Sequence, residues 1–409
     1  MPNIATADLA IAHLPVKKFR HKRIESIDLL RGIVMIIMAL DHVRDYFHNS
    51  AFIYNPEDLA HTNVVLFFTR WITHFCAPVF VFLAGTAAYL YRAKRSTKKL
   101  SVFLFTRGIW LVGVELFILS LFRTFNPSYH FYNLQVIWAT GICMIVLSVM
   151  IYMNIRLMFL TSVLVIFAHN LLDSVHVTGN NALSFLWAIV HEPGYFSFGN
   201  LTFHLHYPVL PWIGIMALGY CFGSLYAAGY DQKKRKKILV YTGISSMILF
   251  IILRSGNFYG DASHWSVQKN PLFSLLSFLN VTKYPPSLLY VLMTLGPSFI
   301  FLALAEGRVT SLKEKIIVFG RVPMFYYLAH ILLIHVFAMI GAVILGYKWS
   351  DMILTTMINR APALKGYGFN LIIVYMVWVA LILMLYPLCK WFDRYKRIHQ
   401  SGKWWTSYL

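Results

Sequence analysis

The sequence predicts an all-α, polytopic integral membrane protein of about ten transmembrane helices, with both termini cytoplasmic. Three observations carry that reading. Of 409 residues, 58% are hydrophobic and only 13% charged. Many runs exceed the ~18 apolar residues that mark a spanning helix. The formal charge of +20 collects in short runs beside apolar stretches: Lys17 to Arg23, Arg92 to Lys99, Lys233 to Lys237 and Lys390 to Arg397. Cytoplasmic loops of membrane proteins carry this excess of Lys and Arg. A nucleic-acid binder would gather its charge on one face of a polar domain, so nucleic acid is excluded as a partner.

Spans are expected near 25–47, 64–92, 101–123, 134–153, 155–174, 208–228, 236–255, 284–305, 315–345 and 368–392. Alternating the sides tests the count. Connections at 92–100, 229–237 and 306–315 are basic and fall inside; 48–63 and 175–207 fall outside, and 175–207 holds no Lys or Arg. An even number of spans returns the basic tail from Arg394 to the inside. The chain then divides into a basic cytoplasmic tail (1–24), a membrane domain (25–392) and a second basic tail (393–409). The first 24 residues lack an apolar core with a small-residue cleavage site, so the first helix is expected to insert as its own anchor. The lipid bilayer is therefore a partner, the expected location is a bacterial cytoplasmic membrane, and homo-oligomerisation is left open.

Two outer connections are too long for simple turns. Their apolar runs, Ala182–Val190 and Pro271–Leu279, are too short to span and are expected to be interfacial or re-entrant, roofing an outer vestibule. The first connection ends in Phe203-His204-Leu205-His206-Tyr207-Pro208. On a helix, His204 and His206 would not share a face, and no carboxylate accompanies them, so no metal site is expected. Pro208, Pro211, Pro285 and Pro286 mark the starts of the sixth and eighth spans, where a missing N–H costs little. Gly219 and Gly223 make a small-xxx-small packing face. Cys76, Cys143, Cys221 and Cys389 each fall inside a span without CxxC spacing, which indicates neither disulfides nor a thiolate metal site.

The polar residues inside the spans point to function. A charge at the centre of a lone membrane helix costs about 2.5–3.5 kcal/mol on insertion scales, so such groups usually face a protein interior or polar cavity. The first helix carries Arg31 near one end and Asp41, His42, Arg44 and Asp45 at the other. His42 and Asp45 are three apart and Asp41 and Asp45 four apart, so each pair shares a helix face. A carboxylate one turn from an imidazole fixes its tautomer and raises its basicity, as a general base requires. With ~1.5 Å of rise per residue, two layers emerge. Arg31, Arg107 and Arg321 lie at the inner end; Asp41, His42, Asp45, His74 and His330 lie at the outer end. Snorkelling anchors are the plain alternative for each arginine. His335 and His169 read as interfacial and packing residues, and Glu115 as a partner for an arginine. Three guanidiniums suit a polyphosphate-bearing donor at the cytoplasmic mouth. Imidazoles and carboxylates suit deprotonation of a hydroxyl or amine from the far side.

Several stretches carry a family resemblance: Ser26-Ile-Asp-Leu-Leu-Arg-Gly-Ile33, the Asp41-His42 pair, Ala77-Pro78-Val-Phe-Val-Phe-Leu-Ala-Gly85, Lys283-Tyr-Pro-Pro-Ser287, and Gly320-Arg-Val-Pro-Met-Phe-Tyr-Tyr-Leu-Ala-His330. Together they resemble the heparan-α-glucosaminide N-acetyltransferase catalytic-domain family, over about residues 24 to 390. The first helix also resembles that of membrane O-acyltransferases, which carry an early Arg and a terminal His, here Arg31 and His42. The resemblance implies transfer of an acyl group, acetyl in the first instance, from cytoplasmic acyl-CoA to a sugar or glycoconjugate across the membrane. In the lysosomal sugar N-acetyltransferases the proposed active histidine lies in the loop after the first helix, where this chain offers His48 and His61 without the family's surrounding residues. His42 is the expected catalytic base, with His74 or His330 assisting, and the loop histidines are the alternative. Direct transfer and an acyl-histidine intermediate both stay open. A transporter or flippase for an anionic or lipid-linked solute is the competing function; it would favour inverted repeats and broken helices meeting at the midplane, and neither is found.

Overall fold

The computed structural model describes residues 24–92, 95–307 and 310–399. The basic tail expected at 1–24 thus lies outside the described residues except for Ile24, as does the end of the chain after His399. Helix α1 (Glu25–Phe47) runs through the middle of the bundle, and its core-facing Val34, Met35, Ala39 and Val43 are almost wholly buried. Helices α2 (Val64–Trp71) and α3 (Cys76–Arg92) form one span, joined by a 3₁₀ turn at Ile72–Phe75 that carries His74. Asn63 caps α2 by accepting from the Leu66 N–H at 2.9 Å. The next span joins α4 (Thr97–Gly113) to α5 (Ser120–Thr124) through a π-helical turn, Val114–Leu119, that presents Glu115 inward.

Strand β1 (Phe131–Leu134) precedes α6 (Val136–Met150), α7 (Ile155–Ala168) and the short α8 (Ala182–Val190). Strands β2 (Gly194–Phe198) and β3 (Leu201–Leu205) form an antiparallel hairpin, and β1 adds parallel to β3, giving the order β1-β3-β2. Then follow α9 (Leu210–Phe222), α10 (Gln232–Gly256), α11 (Pro271–Leu279), α12 (Leu288–Ala305), α13 (Ser311–Arg321), α14 (Pro323–Ile344) and α15 (Leu371–His399).

Nine of the ten expected spans each overlap one helical segment, whereas the span expected at 315–345 divides at Val322 into α13 and α14, of which Pro323–Ile344 is the membrane-capable part. Seven segments in all are long and apolar enough to cross a membrane, and two, α6 and Leu210–Tyr226, are shorter. Helix α1 carries charge at both ends, which its packed environment has to accommodate. It packs against α13, α14, α15, α3 and α12. The pairs α10–α12, α4–α6, α3–α9 and α7–α9 surround that group. Small residues set the closest approaches: a Cβ at Gly219 of α9 would collide with the Phe82 carbonyl of α3, and one at Gly320 of α13 with the Asp28 carbonyl of α1.

The fold is helical, with one addition that the sequence reading lacked. Segment 194–205 alternates apolar and polar side chains, Phe196-Ser197-Phe198 and Leu201-Thr202-Phe203, around Gly199 at φ +58°, which is hairpin chemistry. Helix α8 and helix α11 lie where the two short apolar runs are. The expected boundary at 392 is not marked by a break, because α15 continues to His399.

Candidate active site

The outer end of α1 opens into a cavity of about 310 Å³. Met38, Asp41, His42 and Asp45 line one side; the 54–57 loop, Arg70, Arg123, His206, Lys283, Tyr284 and Tyr327 supply the rest. The four acidic and basic groups on the last turns of α1, Asp41, His42, Arg44 and Asp45, therefore face protein and cavity rather than lipid headgroups.

Their pairing differs from the expectation that Asp45 or Asp41 would orient His42. Asp41 bridges two guanidiniums, Arg44 at 2.9 Å and Arg70 at 2.6 Å. Asp45 pairs with Arg44. Arg70 reaches Glu57 at 3.3 Å, and Glu57 also holds the His74 Nε2. The physical reason is competition: a planar guanidinium makes charge-assisted bonds to a carboxylate about twice as strong as neutral ones, and Arg70 arrives from another helix. The His42 ring makes no hydrogen bond to any described residue. It packs instead on His330, with centroids 5.3 Å apart, and edge-on to Tyr327 at 6.2 Å.

His330 is fully buried, and its Nδ1 donates to the Tyr326 carbonyl at 2.8 Å. That assignment leaves Nε2 as an acceptor, and this atom is buried without a partner beside His42. His74 stands behind Glu57, off the cavity wall and 1% exposed, with the Tyr290 hydroxyl donating to its carbonyl at 2.7 Å. So His42 alone of the three expected histidines lines the cavity. His330 supports it from behind, and His74 fixes Glu57.

Four cavity residues were not singled out from sequence for this chemistry: Glu57, Arg123, His206 and Lys283. Burial would raise the Glu57 carboxyl, but Arg70 and His74 outweigh it and hold the group well below the usual carboxylate range. Arg123 donates to Glu115 and to the Tyr327 hydroxyl at 3.1 Å, and Glu115 also accepts the Gln135 and Trp138 N–H groups. That bears out Glu115 as an arginine partner. Lys283 is 7% exposed and forms no ion pair with any described carboxylate; its ammonium lies 5.2 Å from the Tyr284 ring and borders the cavity. A column of rings runs up the same wall. Arg360 sits over Tyr195 (4.4 Å), Tyr195 stacks on His204 (4.0 Å), His204 meets His206 (4.8 Å), and His206 meets Tyr284 (3.9 Å). His204 and His206 thus come together, contrary to the helical expectation, because they belong to a strand and its extension, where a spacing of two shares a face. Burial, then His204 and Lys283, keep His206 neutral by pushing its pKa well down.

The loop histidines stand elsewhere. His61 is 64% exposed and pairs with Asp58, and His48 binds Ser50 through Nδ1. His335 is buried and bound to the Phe122 and Met352 carbonyls, a packing role rather than the interfacial one expected. At the other end of α1, Arg31 and Arg321 converge on Asp28 at 3.3 and 3.8 Å, and Arg321 also reaches Asp393 at 3.7 Å. Arg107 lies on α4, which packs on α6 and α3, with its guanidinium 5.9 Å from the Phe103 ring. The structure therefore gathers two of the three expected arginines around one shared carboxylate, Asp28. On α1 the cavity reaches no deeper than Met38, about 10 Å of helix from Arg31.

The catalytic-domain model of heparan-alpha-glucosaminide N-acetyltransferase matches residues 23–259, more than half of the chain. That match takes in α1, the cavity loop, Arg70, Arg123 and the sheet; Lys283 and His330 fall beyond it. No curated protein matches the chain. With its helical membrane fold, the chain belongs to the heparan-alpha-glucosaminide N-acetyltransferase catalytic family, a family of membrane acetyltransferases.

Proposed function

We propose that this enzyme moves an acetyl group from cytoplasmic acyl-CoA to a hydroxyl or amine of a sugar or glycoconjugate, with His42 as the general base. The observation that carries the reading is an imidazole with no hydrogen bond to any described residue, set in the wall of a charged cavity. Neutral His42 takes the proton from the acceptor O–H or N–H as that heteroatom attacks the thioester carbonyl. Collapse of the tetrahedral adduct breaks the C–S bond, and the departing CoA sulfur recovers the proton from His42. Lys283, a cation without a carboxylate partner among the described residues, is suited to the developing oxyanion. Asp41, Arg44, Arg70 and Glu57 form a network that fixes the wall around His42. Arg31 and Arg321 are the candidates for the donor's phosphates at the inner end, in exchange for part of their bonding to Asp28 and Asp393.

Removing a general base typically costs 10²–10⁴-fold. His42→Ala should therefore reduce acceptor-dependent thiol release from acetyl-CoA into that range while leaving folding and CoA binding intact. Near-normal transfer by His42→Ala would move the base elsewhere in the cavity, with His206 next to test. Solute movement without CoA turnover by the purified protein would instead support a transporter.

A further inference from the structure

Outside the cavity lining, the end of α7 and the end of α8 bring together His169, Asp173 and His191, each offering a ligand atom within 4.8 Å of the others. Both imidazoles are 2% exposed. His191 Nε2 lies 3.0 Å from Asp173 Oδ1. The remaining nitrogens are unusual: both ring nitrogens of His169, and Nδ1 of His191, are buried with no well-formed hydrogen bond. A His–Asp hydrogen bond accounts for one imidazole nitrogen and the Pro286 carbonyl for one of the two on His169, which leaves the other His169 nitrogen and Nδ1 of His191 unexplained among the described residues. Buried polar atoms ordinarily find partners, and an orphan calls for a specific reason.

We propose that His169, Asp173 and His191 hold one divalent transition-metal ion, with zinc as the ion the donor set suits best. Two imidazoles and one carboxylate form a set that zinc takes with a fourth position left for water. At Zn–N and Zn–O distances of about 2.0–2.2 Å the ligand atoms stand roughly 3.3–3.5 Å apart. The His191–Asp173 spacing already has that scale, and small ring rotations bring in His169. The surrounding shell is in place. Asn170 donates to Asp173 Oδ2 at 2.8 Å while its own oxygen accepts the Leu288 N–H at 2.9 Å, which fixes the carboxylate relative to α12. The Pro286 carbonyl lies beside the His169 ring, where it can receive the N–H that metal binding leaves over. Such an ion ties the end of α7 to the end of α8, and through Asn170 to the start of α12, as one clamp. The clamp adjoins the Lys283–Tyr284 wall of the cavity through Pro285 and Pro286.

The test uses the full chain purified in detergent without a polyhistidine tag, and it is independent of the transfer reaction. Elemental analysis should find about one zinc per chain, retained on dialysis, and His169→Ala or His191→Asn should lose it. Treating wild-type protein with 1,10-phenanthroline should lower its thermal midpoint, and added Zn²⁺ should restore it. The variants should respond to neither. Iron or manganese in zinc's place, lost in the same variants, supports the same site. Should a variant fail to fold, the wild-type chelation and re-addition measurement still decides. Wild-type protein with no bound metal, no uptake of Zn²⁺ and an unmoved midpoint overturns the proposal. So does metal content equal in wild type and variants.

Discussion

At the scale of single residues, the site turns on which carboxylate each cation holds. Asp41 is shared between Arg44 and Arg70, so Asp41→Asn leaves two buried guanidiniums short of charge. Breaking a buried ion pair from one side costs about 3–5 kcal/mol. The expected outcome is a lower thermal midpoint together with lost transfer, whereas Asp45→Asn, at the half-exposed end of the network, should be milder on both. Lys283 gives a cleaner separation. If it stabilises the oxyanion, Lys283→Met should lower kcat by roughly 10²–10³-fold, the loss typical of one oxyanion donor, with little change in donor KM. An unchanged kcat in a folded Lys283→Met protein would remove Lys283 from that role. The sequence made the cluster at the end of α1 legible, because four polar groups crowded on the last turns of a spanning helix have to face either headgroups or a polar cavity. It misassigned the partners, since Asp41 was read against neighbours one turn away while the deciding residue, Arg70, sits on another helix. Glu57 and Lys283 lie in connections with no spacing signal, and only the fold shows that they converge.

At the scale of elements, small-residue contacts and the outer sheet carry separate predictions. Gly219 abuts the Phe82 carbonyl, a backbone atom that cannot move aside alone. Gly219→Ala should therefore push α9 from α3 and cost about 1–3 kcal/mol, as overpacking does, read as a drop in the detergent melting midpoint. The Gly219/Gly223 motif was legible as a packing face, and both glycines do abut α3. The sheet leaves a weak sequence signal, because each hairpin strand has only five residues around Gly199 and the third strand, β1, comes from a distant stretch ahead of α6. Its His204 is 6% exposed, and burial, aided by Arg360, pushes its pKa down to about 4. Here the folded state prefers the neutral ring. Its contribution to stability is whole above the unfolded value near 6.5 and is lost as pH falls from there toward about 4. A depression of that size is worth on the order of 3 kcal/mol. His204→Phe keeps the stack on Tyr195 without titrating, so its midpoint should fall less steeply than that of wild type between pH 6.5 and 4. Identical slopes would mean that other groups govern the acid sensitivity.

At the scale of the whole molecule, the proposed function requires two substrates to meet across a packed layer. The cavity is walled by connections 48–63, 131–135, 201–207, 280–287 and 354–359 at one end of the bundle. Arg31 and Arg321 mark the other end, with the buried Val34 and Met35 of α1 between. Met38 and Phe80 form part of the cavity floor, so a thioester arriving from the arginine end has to displace side chains near them. Which end faces the cytoplasm therefore decides which substrate uses which mouth. The basic start of α10, Lys233 to Lys237, argues by the bias of cytoplasmic loops toward Lys and Arg that the arginine end is inside. On the proposed function, the outer segment 175–207, with its helix, hairpin and absence of Lys and Arg, then faces out and roofs the cavity assigned to the acceptor. The check is labelling of intact cells with an impermeant thiol reagent, in a protein whose four buried native cysteines have been replaced. A cysteine at Asn180, in the connection ahead of α8, should react at once. One at Lys236 should react only after the membrane is opened. The reverse pattern would put the cavity on the cytoplasmic side, make Arg31 and Arg321 outer residues, and rule out donor binding at their end by cytoplasmic acyl-CoA.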